Sequence, residues 1–86
     1  MKTYGIEFTK SARTEIKKLP AKAQKGILSA ISKLAESPRR GNVRPMTGVS
    51  SWRLRVGDYR VIYDIHDKKL VIVIIRVRHR KDAYRS

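Results

Sequence analysis

The hydrophobic pattern over the first 35 residues changes from alternation to helical spacing. Residues 2–8 place apolar side chains at every second position, which is typical of a half-buried strand. Residues 9–19 and 21–35 instead repeat apolar residues every three or four positions, so each predicts an amphipathic helix, the first capped by Thr9 or Ser11. The positions predicted to face the core are Tyr4, Ile6, Phe8, Ala12, Ile16, Leu19, Ile27, Ile31 and Leu34.

A basic loop and a strand-rich region follow. Residues 37–50 are rich in Gly, Pro, Ser and Arg and predict a loop. Residues 51–65 alternate on both sides of Gly57 and Asp58, which predicts a hairpin. The apolar run at 70–77 predicts a central strand buried on both faces. The predicted fold is α+β: an N-terminal strand, an αα-hairpin and an antiparallel three-stranded meander, with both helices on one face of the sheet.

The composition limits the protein to one small domain, residues 1–86, with 41% hydrophobic residues to fill its core. The absence of Cys excludes disulfides, thiolate nucleophiles and Cys-ligated zinc. No secretory signal is visible, and no apolar run approaches the ~20 residues that a membrane span needs. We therefore expect a cytoplasmic protein without membrane contact.

The charge is strongly unbalanced, with 21 Lys and Arg against 7 Asp and Glu, a formal net charge of +14. Such a charge repels itself and destabilises the compact state. A polyanion is therefore the expected partner, and nucleic acid is the first candidate.

The predicted hairpin concentrates arginine. A two-residue turn would place Arg55 directly across from Arg60, with Arg53 two positions away on the same face. Like charges directly opposite each other destabilise a sheet by up to about 1 kcal/mol per pair, whereas guanidinium groups match phosphate oxygens well. The alternative is a solvated strand face that discourages aggregation in an Arg-rich chain. Spacing alone leaves both interpretations open.

The C-terminal segment supplies the titratable groups. His79, Arg80 and Tyr84 follow the last strand and could fold over the arginines, where His and Tyr suit proton transfer. The alternative for His79 is an exposed imidazole in a basic tail. Trp52 could stack on a base, but its phase within the hairpin favours a core position.

Metal and cofactor chemistry find no support in the sequence. The seven carboxylates are scattered, with no metal-ligand spacing, and no phosphate-binding glycine loop or common hydrolase motif occurs. We therefore predict no metal and no cofactor. Any catalysis is expected to use Arg, Lys, His and Tyr side chains.

Four segments together carry a resemblance to a known family over nearly the whole chain. The sequence resembles the RelE/ParE superfamily of bacterial and archaeal toxins, whose order of strand, two helices and antiparallel sheet agrees with the pattern above. The segments are F-T-K-S-A at 8–12, L-A-E-S-P at 34–38, W-R-L-R-V-G-D-Y-R-V-I-Y at 52–63 and H-R-K-D-A-Y at 79–84.

The resemblance implies a reaction. RelE-type toxins enter the ribosomal A site of the 30S subunit and promote attack of a ribose 2′-hydroxyl on the adjacent phosphate of the mRNA. The family's functional positions correspond here to Arg53, Arg55, Arg60, Arg80 and Tyr84. The best-known RelE members have Lys at the two strand positions, and an arginine cannot act as a base. The base is then Tyr84, His79, or a group of the ribosome or substrate.

The resemblance also implies partners and leaves alternatives. A RelB-like, acidic antitoxin is expected to neutralise the toxin, and basic side chains are expected to contact ribosomal RNA and mRNA through phosphates, unless they are simply solvated. One alternative is the ParE branch, which inhibits DNA gyrase. Another is a basic nucleic-acid-binding module without activity. The residues expected to contact RNA are Arg39, Arg40, Arg44, Lys22 and Lys25.

Overall fold

Two helices cover one face of a five-stranded sheet in the computed structural model, which describes residues 3–79. The strand order is β1-β5-β4-β3-β2, with β1 parallel to β5 and every other pair antiparallel. Within the described residues, no helix is long and apolar enough to cross a membrane. The elements are β1 (Gly5–Phe8), α1 (Lys10–Lys17), α2 (Ala21–Leu34), β2 (Val43–Pro45), β3 (Trp52–Val56), β4 (Tyr59–His66) and β5 (Val71–His79).

The two helices form where the apolar spacing predicts them. Thr9 caps α1, because its hydroxyl accepts a hydrogen bond from the amide of Ala12 at 3.1 Å. The same hydroxyl donates to the carbonyl of Ile75 at 2.6 Å, so the cap also fixes the start of α1 against β5. The buried core consists of Ala12, Ile16, Ile27, Ile31, Leu34, Leu54, Val61, Tyr63, Ile72, Ile74 and Val77.

The predicted three-stranded meander is wrong in its strand count. β2 lies within the segment that the sequence predicts to be a loop and pairs antiparallel with β3. The antiparallel part of the sheet therefore has four strands. With only three residues, β2 is too short to show alternation, and its pairing with β3 is a tertiary contact that local patterning cannot reveal.

The prediction of a central strand buried on both faces also needs correction. β4 is the middle strand, and β5 lies between β4 and the parallel strand β1. On β5, Ile72, Ile74 and Val77 are buried beneath the helices. Val71 and Val73 are only half-buried, because in the described structure the helices cover one face alone.

Glu15 of α1 closes the part of β5 that β1 does not reach. The pairing with β1 ends at Ile74. Beyond that point the amide of Val77 donates to Oε1 of Glu15 at 2.9 Å, and Nη2 of Arg76 lies 3.0 Å from Oε2. One carboxylate therefore satisfies a backbone donor at the edge that β1 leaves open and neutralises an arginine beside it.

Candidate anion-binding site

The β3–β4 hairpin has the predicted two-residue turn. Gly57 and Asp58 connect the strands, and Gly57 has a φ of 56°, which glycine adopts without strain. Arg55 pairs directly with Arg60, and Arg53 lies two residues earlier on the same face. The predicted register of these three arginines is confirmed.

Two further arginines join them through the neighbouring strands. Arg44 of β2 pairs directly with Arg53, so the predicted loop arginine lies on the sheet. Arg78 of β5 pairs directly with Arg60. Both side chains lie on the face away from the helices, because direct partners share a face. We call the resulting surface the arginine face: Arg44, Arg53, Arg55, Arg60 and Arg78.

The sequence interpretation missed Arg78, and an irregularity in the sheet explains why. The register between β4 and β5 shifts by one residue between Ile62 and Tyr63. A regular ladder counted from the β4–β5 turn would place Val77 across from Arg60. A one-residue shift exchanges the two faces, so the bulge places Arg78 beside Arg60 instead. No feature of the local sequence marks that bulge.

The arginine face contains a concave region. Arg44, Arg53, Arg55 and Arg60 line a cavity of about 300 Å³ together with residues 41–43. Arg53 and Arg60 are half-buried, whereas Arg44 and Arg55 are exposed. Four guanidinium groups around a space of this size can surround a phosphate with donors that are fixed in a planar fork.

The ion pairs of the described residues involve other arginines. In the described part of the chain, the ion pairs join Arg39 to Asp67 and Arg76 to Glu15. Within the same residues, no three His, Asp or Glu side chains converge as metal ligands. The arginines of the arginine face with no ion pair or side-chain hydrogen bond to another described residue are Arg44, Arg53, Arg55 and Arg78.

Arg39 lies away from the arginine face, beside the β4–β5 turn. Its Nη2 is 2.8 Å from Oδ2 of Asp67, and the Tyr4 hydroxyl donates to Oδ1 of the same residue at 2.6 Å. The hydrogen bond from Arg39 has the largest effect and that from Tyr4 the next largest, and together they hold the pKa of the Asp67 carboxyl below its usual value. Arg39 also lies 5.8 Å from the centre of the Trp52 ring, which packs against the core as predicted.

Tyr63 anchors the segment between α2 and β2. Its buried hydroxyl donates to the carbonyl of Pro38 at 2.6 Å. Burial raises the pKa of Tyr63 to about 12. The hydroxyl therefore stays protonated over the physiological range and keeps this hydrogen bond, which fixes the approach to β2 and Arg44.

The remaining predicted residues that the structure describes are not brought together on the arginine face. Lys22 and Lys25 are exposed on α2, and Arg40 is exposed between α2 and β2. His79 pairs with Tyr59, and their rings meet edge to face at 5.2 Å on the side of the sheet that carries the core. Arg80 and Tyr84 lie outside the described residues.

The comparisons agree with the fold. The family described as ParE toxin of type II toxin-antitoxin system, parDE, matches residues 6–84. The chain is 34% identical over 84 residues to Toxin RelG of Mycobacterium tuberculosis, covering 95% of this chain and 97% of that protein. It is 29% identical over 85 residues to mRNA interferase toxin RelE of Escherichia coli, covering 94% and 90% of the two chains.

A solved structure shows the same relationship to toxins of toxin–antitoxin systems. The RelBE2 toxin–antitoxin complex from Mycobacterium tuberculosis has a chain that superposes with a TM-score of 0.82 at 31% identity, covering 90% of this chain and 98% of that chain. This protein therefore belongs to the RelE/ParE superfamily of type II toxin–antitoxin toxins, and its relatives assign it to the RelE type.

Proposed function

We propose that this toxin is a ribosome-dependent endoribonuclease that cleaves mRNA in the 30S A site and so stops translation. The observation that carries the proposal is the arginine face, where Arg55 and Arg60 pair directly on an open sheet surface. The curated relative described as an mRNA interferase toxin supports the same activity. The family's name and the complex of its structural relative support a cognate RelB-like antitoxin. We propose that this antitoxin is acidic, because it would then neutralise the positive face.

The proposed reaction is an in-line transfer at one phosphate. The ribose 2′-oxygen bonds to phosphorus and gives its proton to a base, while the bond from phosphorus to the 5′-oxygen breaks and that oxygen takes up a proton. The products are a 2′,3′-cyclic phosphate and a 5′-hydroxyl. Negative charge grows on the phosphoryl oxygens in the transition state, and preorganised guanidinium groups stabilise it there.

The arginines are proposed to have different roles according to their positions. Arg55 and Arg60 line the cavity from two adjacent strands and are proposed to hold the phosphoryl oxygens. Arg80, which lies outside the described residues, is proposed to share this role because the resemblance implies it. Arg53 and Arg44 line the same cavity and are proposed to position the backbone. Fixed positive charge from arginine would take the role that a metal ion has in other nucleases, so we propose a metal-independent reaction.

Groups other than the arginines are proposed to remove the proton of the 2′-hydroxyl. Arg53 and Arg55 cannot realistically lose a proton at neutral pH. His79 lies against Tyr59 on the side of the core. We therefore propose Tyr84, or a group of the ribosome or substrate, as the base. The exposed Arg40, Lys22 and Lys25 are proposed to contact ribosomal RNA. Arg39 is proposed to contact it while it remains paired with Asp67.

The test is primer extension on a defined message in a purified translation system, with and without ribosomes. Wild-type protein is expected to cut at A-site codons only when ribosomes are present. The Arg55→Ala, Arg60→Ala double variant is expected to leave the message intact. Arg13→Ala is the control, because it removes one arginine side chain and its charge from the exposed surface of α1. An uncut message and unimpaired translation with wild-type protein would refute the proposal, and inhibition of DNA gyrase would then support the ParE alternative.

A further inference from the structure

We propose that Arg78 binds a second phosphate of the RNA strand, next to the one held in the cavity. This inference rests on the proposed function and extends its site from one phosphate to two. Arg78 lies outside the positions to which the sequence resemblance assigns a role. The sheet register at Arg78, the burial of its side chain and the charges around it support a phosphate contact there.

The arginine face contains one continuous row. Arg55, Arg60 and Arg78 are direct partners across β3, β4 and β5. Neighbouring strands lie about 4.8 Å apart, so the row extends over roughly 10 Å at the level of the backbone. A polynucleotide that crosses the strands in this direction presents its phosphates one after another along the row.

Arg78 lies at the end of this row and outside the cavity. The cavity is lined by arginines of β2, β3 and β4, and Arg78 of β5 is not among them. A phosphate held by Arg55 and Arg60 therefore leaves Arg78 on one side of it. The adjacent phosphate of the same strand is the anion that this position suits.

The charges on β5 support a ligand at Arg78. Arg76 and Arg78 are two residues apart on the same strand and both are half-buried. Arg76 pairs with Glu15. Arg78 has no ion pair or side-chain hydrogen bond among residues 3–79, and its direct partner is another arginine. An arginine that is half-buried beside a like charge gains most from an external anion.

The experiment measures binding of a short single-stranded RNA, with one 2′-deoxyribose at the cleavage position, by fluorescence anisotropy over a series of salt concentrations. The variants are Arg78→Ala, Arg78→Lys, Arg55→Ala and the control Arg13→Ala. A second RNA carries an uncharged methylphosphonate in place of the phosphate next to the cleavage position. Free toxin is used, with its unfolding in urea measured for every variant.

Arg78→Ala is expected to weaken binding about fivefold to tenfold relative to Arg13→Ala. It should also lower the slope of log affinity against log salt by about 0.7, the value for one lost contact to a single strand. Arg78→Lys should keep that slope. On the methylphosphonate RNA, Arg78→Ala should cause no further loss, whereas Arg55→Ala still should.

Two results would overturn the assignment of Arg78 to a second phosphate. If Arg78→Ala binds like Arg13→Ala while Arg55→Ala still weakens binding, Arg78 takes no phosphate and the proposed function stands. If both variants bind like the control, the arginine face does not bind this RNA, so Arg78 takes no phosphate of it, and the primer-extension experiment decides separately on the proposed function.

Discussion

The arginine face places like charges directly opposite each other on neighbouring strands. Arg44 is opposite Arg53, and Arg60 lies between Arg55 and Arg78. Each such pair costs the folded state a few tenths of a kcal/mol to about 1 kcal/mol. In the described structure, the carboxylates of Asp67 and Glu15 pair with Arg39 and Arg76. The arrangement is unfavourable for stability alone, and an anionic ligand removes the cost.

A single substitution should separate stability from function. Arg55→Thr replaces one member of a like-charged pair with a residue that favours strands, so we expect the free energy of unfolding to rise by about 0.5 kcal/mol. Cleavage should be lost in the same variant. Urea unfolding checks the first expectation, and Arg13→Ala shows how much comes from lower net charge alone. A variant less stable than wild type would show that Arg55 stabilises the sheet.

At the level of the elements, β5 determines how the site is assembled. On the side of β1, β5 has no strand partner beyond Ile74, and α1 supplies Glu15 there instead. The bulge opposite Ile62 then sets which face Arg78 occupies. The capped edge and the shifted register therefore position the β5 end of the arginine face.

Removal of the carboxylate from this edge should destabilise the fold. Glu15→Ala leaves the Val77 amide without its acceptor and Arg76 without its partner, so we expect a loss of about 2 kcal/mol in the free energy of unfolding. Glu15→Gln should lose less, because its amide oxygen can still accept from Val77. Urea unfolding measures both, with Glu36→Ala on the exposed surface as control. Equal stability of Glu15→Ala and Glu36→Ala would contradict this role for the carboxylate.

The sequence predicts those elements whose signal is local. The spacing of Ala12 and Ile16 locates α1, and alternation around the Gly57 turn gives the register of Arg55 and Arg60. Strand β2 and the position of Arg78 depend on pairing between distant segments. Periodicity over a few residues contains no information about a three-residue strand or a bulge, so both required the structure.

At the scale of the whole molecule, the net charge of +14 is distributed unevenly. The arginine face lies on the open side of the sheet, while the helices bury the apolar core on the other. A field of this kind attracts RNA at long range and weakens as salt rises. An acidic antitoxin would be attracted by the same field, so the partner that inhibits the toxin would also relieve its internal repulsion.

The most direct measurement is the single-turnover rate of cleavage on ribosomes that hold a short message in the A site. The account predicts that Arg60→Ala lowers this rate at least about hundredfold, the usual effect of removing one transition-state donor, while Arg13→Ala leaves it unchanged. A message with one 2′-deoxyribose at the cleavage position should remain intact. Cleavage by Arg60→Ala at about the wild-type rate, or cutting of the deoxy message, would contradict the account.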